Sequence, residues 1–515
     1  MVVPTDNHFD FIVVGGGTGG NTVAGRLAEN PNVKILIIEA GPGHNKDIPE
    51  IQTPARAFEL RGSQYDWAYK TTMIDREDYT RVEKPNTRGK VLGGSSALNY
   101  YTWIRGSKAT FDDWEEYGGP SWTWDNCKEY FDKPANYHDD SHLYNPDLAK
   151  HGRNGPLDVA VSDMQGGILN DEIYDGEMHG LARCMNTIYK GVRSTSALFL
   201  EGKPNITILG HTHAKQILIE DGAATGVVVI TAEGDELTIR AKKEIIVSSG
   251  VYETPKLLML SGIGPVDELA PHGIDVKVES QHVGKNLLDH PIMPHVFRLK
   301  DGLGLEDHLL RAGPQHDGAI SAYRKNKSGP FSSGLLELVG LPRIDEYLAT
   351  SKEYVAAKKA NNDIDPFGPG GQPHFEIDFV PMFSDAFQWH IPTPPTGSWL
   401  TVIVDLLRPL SRNGYVKLNS TNPFEQPMIN LNFFSNDLDL VALREGYPCG
   451  TARLGKSIEQ GAVDHELRVF GVKNLRVTDA SVFPVIPDCR IQNAVYMVAE
   501  RGADFIKAAH PDLYQ

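Results

Sequence analysis

One cation and one glycine cluster are the residues here best placed to do chemistry. Arg490 sits in PVIPDCRIQNAVYMVAE, where the chain turns into an apolar, helix-like stretch carrying Ala494, Val495, Met497 and Val498. A guanidinium in such a place can hold a carboxylate through two parallel hydrogen bonds inside an active site. It can also form an ion pair with Asp488, or lay its stem over apolar neighbours at the surface. Near the other end, GGGTGG sets Gly15, Gly17 and Gly20 in the spacing G-x-G-x-x-G, with Thr18 between them. Glycines so spaced allow a tight turn whose backbone N–H groups approach a pyrophosphate.

Those glycines need a strand before them and a helix behind them. FDFIVV is a short apolar strand ending at Val14, and NTVAGRLAEN carries Val23, Ala24 and Leu27 at helical spacing. VKILIIEAG is a second strand, and its Glu39 lies 19 residues beyond Gly20, where an acid can accept ribose hydroxyls. Together these specify a βαβ unit for a dinucleotide, NAD or FAD. Farther on, NITILGHTHAKQILIE and AATGVVVITAEGDELTIRAKKEIIVSSG read as consecutive strands with an EGDE turn, a β-meander. From about residue 297 to 445 the sequence becomes richer in Pro, Gly and aromatic residues, with strands such as HFEIDFVPMF and WLTVIVDLLRP. FGVKNLRVTDASVFP reads as a strand returning to the first domain, and NAVYMVAERGADFIKAAH as a closing helix. The fold class is α/β mixed with α+β. A Rossmann-like domain with an inserted β-meander is joined to a substrate domain built on an antiparallel sheet with helices.

Composition narrows the function. The chain has 515 residues, 40% hydrophobic and 23% charged, with a formal net charge of −17. That length predicts at least two domains or one large interleaved unit. The negative charge argues against nucleic acid as a partner, and an anionic substrate then needs a local positive site. The four cysteines are scattered without a C-x-x-C pair, so neither a disulfide framework nor a metal site is expected. MVVPTDNHFD has no basic region followed by a long apolar run, and no stretch is apolar enough to span a membrane. HPDLYQ carries no recognised targeting address. The expected location is the cytoplasm.

Three further glycine-rich segments decide which dinucleotide. They are RGKVLGGSSALNYYTWIRG, GVYETPKLLMLSGIGP and HVGKNLLDHP. In this order, and after the first fingerprint, they resemble the glucose–methanol–choline (GMC) oxidoreductases over nearly the whole chain. The resemblance implies FAD. It puts Gly15, Gly17, Thr18 and Gly20 on the pyrophosphate and Glu39 on the adenosine ribose. Gly93, Gly94, Ser95 and Asn99 would pass along flavin and pyrophosphate, Ala214 would touch adenine, and Asp479 and Ala480 would form a second contacting turn. It implies a discontinuous FAD-binding domain of residues 1–155, 197–296 and 447–515, and a substrate-binding domain of 156–196 and 297–446. The partners it implies are a small molecule and O2, with H2O2 as product. A homo-oligomer, and a modified or covalently attached flavin, are both compatible with the sequence.

Within the family, DWAYKTT, EKPNTRGK, IYDGEM, SGLLELVG, QPHFEIDF and PDCRIQNA look most like members that oxidise formate. Those members carry arginine where most others carry a second catalytic His or Asn, here at Arg490. The first catalytic position departs from the pattern. The family writes His-Pro-x-Gly-Thr, and this chain writes Tyr447-Pro448-Cys449-Gly450-Thr451. The segment preceding it is short: Leu438, Leu440, Val441 and Leu443 suggest one helix, stopped by Gly446 and Pro448. A tyrosine, with a pKa of about 10, is a poor base for an alcohol, whereas formate is already an anion and needs none. Arg490 and Tyr447 are therefore the candidate catalytic residues. The competing readings are an alcohol oxidase or dehydrogenase of the choline-dehydrogenase type, and a catalytically impaired flavin protein or a chain that has lost a coding segment before Tyr447. His290 reads as packing near the flavin, His374 and His390 as possible pocket walls, and Phe375, Phe379, Phe387 and Trp389 as core.

Overall fold

The computed structural model describes residues 8–138, 150–161, 172–368, 370–385, 391–442 and 452–514. Tyr447, Cys449, Phe387, Trp389 and His390 lie outside the described residues.

The first strand, β1 (His8–Val14), alternates between two cores. Phe11 and Val13 pack with Val23 and Leu27 of helix α1 (Thr18–Leu27), and with Ala503 and Ile506 of the last helix. Ile12 and Val14 face the other way, with Ile245, Val247 and Leu258. Strand β2 (Ile35–Ile38) alternates likewise, Ile35 and Ile37 on one side and Leu36 and Ile38 on the other. Covered on both faces, these strands are continuous apolar runs, as parallel strands must be.

The seven-stranded sheet runs in the order Ile206–Leu209, β2, β1, Glu236–Val247, Ala223–Ile230, His213–Glu220. The first four strands are parallel, and the last two form the antiparallel meander. The 12-residue strand Glu236–Val247 joins the two halves. Its start pairs with the meander, and its end pairs with β1 on one side and Leu475–Val477 on the other. FGVKNLRVTDASVFP thus does return a strand to the first sheet. NITILGHTHAKQILIE is two strands rather than one, broken where His211 takes a positive φ of 52°.

The closing helix Gln492–Ala509 packs on α1. Arg26 of α1 holds Glu500 of the closing helix with two hydrogen bonds of 2.7 Å, from Nε and Nη2. A second, five-stranded sheet is antiparallel throughout, in the order Ile292–Leu299, Ser398–Leu406, Phe375–Val380, Leu338–Leu341, Gly180–Arg183. The short helix before Tyr447 spans Asp437–Ala442. Among the described residues, no helix is long and apolar enough to cross a membrane.

Candidate functional site

The parallel strands end at a glycine-built turn. Gly15 has φ +103°, and a Cβ on it would lie 2.2 Å from the Ser248 carbonyl oxygen, at the end of the neighbouring strand. Gly94 of the second glycine segment has φ +51°, and its Cβ would lie 2.6 Å from Gly17 Cα. The Gly93 N–H also donates to the Gly16 carbonyl at 2.7 Å. The first two glycine motifs, nearly 80 residues apart in sequence, therefore pack backbone against backbone. No side chain fits between them.

Gly17 and Thr18 line a cavity at this junction, and so do Gly15, Gly94, Ser95 and Asn99. Gly20 and Gly93 do not line it. Gly20 instead brings α1 against the turn, where a Cβ would lie 2.0 Å from the Gly15 carbonyl oxygen. Asn99 is braced by Arg193, which donates 2.9 Å hydrogen bonds to both its carbonyl and its side-chain oxygen. Arg193 is buried, and burial lowers its pKa. Nothing in the residues around it marked it in the sequence.

Glu39 lines the same cavity at the end of β2. Its carboxylate accepts from the backbone N–H groups of Gly16 at 3.1 Å and Gly41 at 2.8 Å. Burial pushes its pKa up to about 7, against the opposing pull of those two N–H groups and of Lys90. Ala214 is in the wall with His213, at the start of the meander. His213 stands edge-on to Trp67, with ring centroids 5.7 Å apart. Trp67 belongs to the DWAYKTT segment but carried no assigned role in the sequence.

Asp479 and Ala480 also reach the cavity. The Asp479 carboxylate accepts from Gly250 N–H at 2.9 Å, the Thr254 hydroxyl at 2.6 Å and Ser481 N–H at 2.8 Å. It ties the third glycine segment to the turn before the closing helix. The fourth segment does something else. Gly284 packs where a Cβ would meet the Val416 carbonyl oxygen at 2.3 Å, and it forms no part of the cavity wall.

The cavity suits FAD on two counts. Its floor is backbone rather than side chain at Gly15, Gly17 and Gly94. At its far wall the Gln492 amide has both Nε2 and Oε1 buried without partners. A side chain needing one acceptor and one donor matches the alternating carbonyl and N–H groups at the edge of a flavin ring.

Arg490 stands in that wall too, just before the closing helix. Its side chain is 10% exposed. It does not pair with Asp488, whose carboxylate instead accepts from Ser107 N–H at 2.8 Å. The ion-pair reading holds with different partners. Arg490 Nε donates to Glu376 at 2.7 Å, and Nη2 reaches Asp405 at 2.9 Å and also Asp378. These three carboxylates are at most 2% exposed.

Their placement follows from strand periodicity. In FEIDFV, Glu376 and Asp378 are two apart and share a face, and Glu376 pairs across the sheet with Asp405. Burial raises the pKa of Glu376 against Arg490, and raises that of Asp405 with help from the charges of Glu376 and Asp289. The sequence reading missed all three acids, because E-x-D in a strand ordinarily marks the solvent face.

His290 is buried, and desolvation together with the Arg490 charge holds its pKa down to about 3. It is neutral at ordinary pH and a poor base, in keeping with packing. His374 does not line the cavity. Its Nε2 lies 2.8 Å from Asp365, and its Nδ1 accepts from Ile344 N–H. Phe375 is core. Cys489 is fully buried with its thiol pKa raised well above normal, so it is not a nucleophile.

Known proteins align with this chain over nearly its full length. Residues 9–292 and 447–499 match the two sequence patterns described as GMC oxidoreductase. The chain is 31% identical, over 597 aligned positions, to "Pyranose dehydrogenase 3" of Leucoagaricus meleagris, covering 99% of this chain and 94% of that one. That alignment is longer than the chain itself, so the relative carries residues that this chain lacks. A crystal structure of formate oxidase superposes with a TM-score of 0.97 at 55% identity, covering 99% of this chain and 100% of that one. An Aspergillus oryzae RIB40 formate oxidase with an arginine replaced by alanine, studied for its effect on FAD modification, gives a TM-score of 0.97 at 54% identity. It covers 100% of both chains.

Proposed function

Because the chain belongs to the GMC oxidoreductase family and is an FAD-dependent oxidoreductase, we propose that it oxidises formate with O2, giving CO2 and H2O2. The observation that carries this reading is Arg490, a guanidinium in the wall of the cavity floored by the glycine cradle. FAD, held by the glycine cradle, would supply the two-electron acceptor for the hydride, with O2 as the final oxidant.

The residues then divide as follows. Gly15, Gly17, Thr18, Gly20, Gly93 and Gly94 shape the cradle, with Ser95, Asn99, Ala214, Asp479 and Ala480 at its walls. Glu39 accepts ribose hydroxyls. Arg490 presents N–H groups to the two oxygens of the substrate carboxylate and fixes the direction of its C–H bond. Formate needs no base: loss of hydride from the anion leaves neutral CO2. The guanidinium stabilises the substrate anion at least as well as the product side, so its contribution is positioning rather than selective stabilisation of the transition state. Neutral His290 adds no charge. Tyr447 takes the place of the family histidine, and turnover is slower for it.

Residues 1–155, 197–296 and 447–515 form the FAD-binding unit in this reading, and 156–196 and 297–446 the substrate unit. Strand Ile292–Leu299 carries the chain from one to the other.

Alcohol oxidation is the second reading, favoured by the carboxylates beside Arg490, which could accept a hydroxyl proton. The test is stoichiometry. Purified protein supplied with formate should consume one O2 and release one CO2 and one H2O2 per formate. Turnover of choline or another primary alcohol, with none of formate, would overturn the first reading in favour of the second.

A further inference from the structure

Three buried carboxylates surround one guanidinium, and the charges do not balance. Glu376, Asp378 and Asp405 each give one oxygen to Arg490. Their second oxygens, Glu376 Oε2, Asp378 Oδ1 and Asp405 Oδ1, are buried without hydrogen-bond partners. Glu376 and Asp405 are directly opposed in the antiparallel ladder, where like charges repel. A buried carboxylate that is only half satisfied is costly as an anion and much less so as an acid.

Among the described residues, no second cation is ion-paired with the three acids, and Arg88 acts on Asp289. Asp289 adds to the negative field at Asp405, and Asp488 to that at Glu376. His290, on the segment leading into strand Ile292–Leu299, is neutral. Cys184, beside the second sheet, and Cys489 have thiols raised well above the normal range by burial, with the Glu376 charge adding to the effect. Arg408 acts on Asp488.

A substrate anion at Arg490 brings one more negative charge beside these acids. We propose that the Glu376–Asp405 pair is a proton-coupled gate, so that a small monoanion such as formate binds Arg490 together with one proton, which stays on the pair. This deepens the formate reading and rests on Arg490 being the anion site. Asp378 and the pair are positioning residues. They hold the guanidinium plane when the site is empty, and they remove one negative charge when it fills. Burial raises the pKa of both members, and like charge adds to it, from Asp488 at Glu376 and from Glu376 and Asp289 at Asp405.

The test uses nitrate, a planar monoanion with no hydride to give. Nitrate is titrated calorimetrically into the flavin-loaded protein in two buffers of different ionisation enthalpy, which counts the protons taken up. About one proton per nitrate is expected, with the dissociation constant rising by up to about tenfold per pH unit across the range in which the pair titrates. In Glu376→Gln, and independently in Asp405→Asn, the proton count should fall towards zero and the pH dependence flatten. Zero protons with a flat affinity in the unmodified protein would overturn the proposal. So would no detectable nitrate binding, or a full proton count retained by both variants. If nitrate binds with its proton but formate is never oxidised, the oxidase reading fails and the gate stands. If formate is oxidised and nitrate binds without a proton, only the gate fails.

Discussion

The glycine cradle and the Arg490 centre stand in the wall of one cavity and are built by opposite means. The cradle is backbone. Gly15, Gly17 and Gly94 bring strand ends and turns into contact because they lack side chains. The Arg490 centre is side chain and charge. One cation is drawn between Glu376, Asp378 and Asp405 on two strands of the antiparallel sheet. A backbone cradle is specific in shape and carries little that titrates. A half-compensated charge cluster is loose in chemistry and sensitive to every added charge. Holding a large cofactor permanently suits the first, and exchanging a small anion at each turnover suits the second.

The largest expected effect falls on the cradle. Gly15→Ala puts a Cβ 2.2 Å from the Ser248 carbonyl oxygen at a φ of +103°. It should cost more than ~3 kcal/mol and give protein without visible flavin absorbance. A stable yellow variant would break the comparison. At the other centre, Arg490→Ala strands the buried acids and should cost about 3–5 kcal/mol at neutral pH while the cradle stays intact. The sign follows from Glu376 and Asp405, whose folded pKa values are raised. Stability is then fully present at low pH and is lost as pH rises through those values. The melting temperature of the variant should therefore climb on acidification, and a variant whose stability is flat with pH would contradict the charge count.

Smaller effects sharpen the contrast. Tyr447→His should raise formate turnover by ~10²–10⁴-fold, the usual contribution of a placed acid–base group; steady-state O2 consumption reads this directly. Smallest is the one place where the cradle does titrate. Glu39 sits near 7 in the protein without ligand, and ribose hydroxyls favour its ionised form. Affinity of the apoprotein for FAD should therefore rise as pH increases, by up to about tenfold per unit below 7, and level off above. Glu39→Gln should remove that slope. Fluorescence quenching of FAD across a pH series measures both.

The cradle was legible because its signals are local. G-x-G-x-x-G between a strand and a helix, with Glu39 at the end of the next strand, describes its own geometry, and the alternation in FDFIVV and KILII follows from burial on both faces. The return of Leu475–Val477 to the first sheet was read from FGVKNLRVTDASVFP, although Arg476 sits at its centre. The Arg490 centre was legible only in half. Its cation was visible as an arginine entering an apolar helix, but the expected partner Asp488 lies on the far side of the turn, hydrogen-bonded to Ser107. The true partners are over 80 residues away in sequence, on strands whose inward face a two-residue period cannot assign by itself. Arg193 and the unpartnered amide of Gln492 were hidden for the same reason: each is defined by what surrounds it and not by its neighbours in the chain.

The most direct measurement follows the flavin absorbance of the unmodified protein and of Arg490→Ala after formate is added without oxygen. The account predicts that both proteins carry flavin, that formate bleaches the unmodified protein, and that the variant stays oxidised. Bleaching of the variant at the unmodified rate would contradict it, because the anion would then be held by something other than Arg490. An unmodified protein that holds flavin and stays oxidised would contradict it as well.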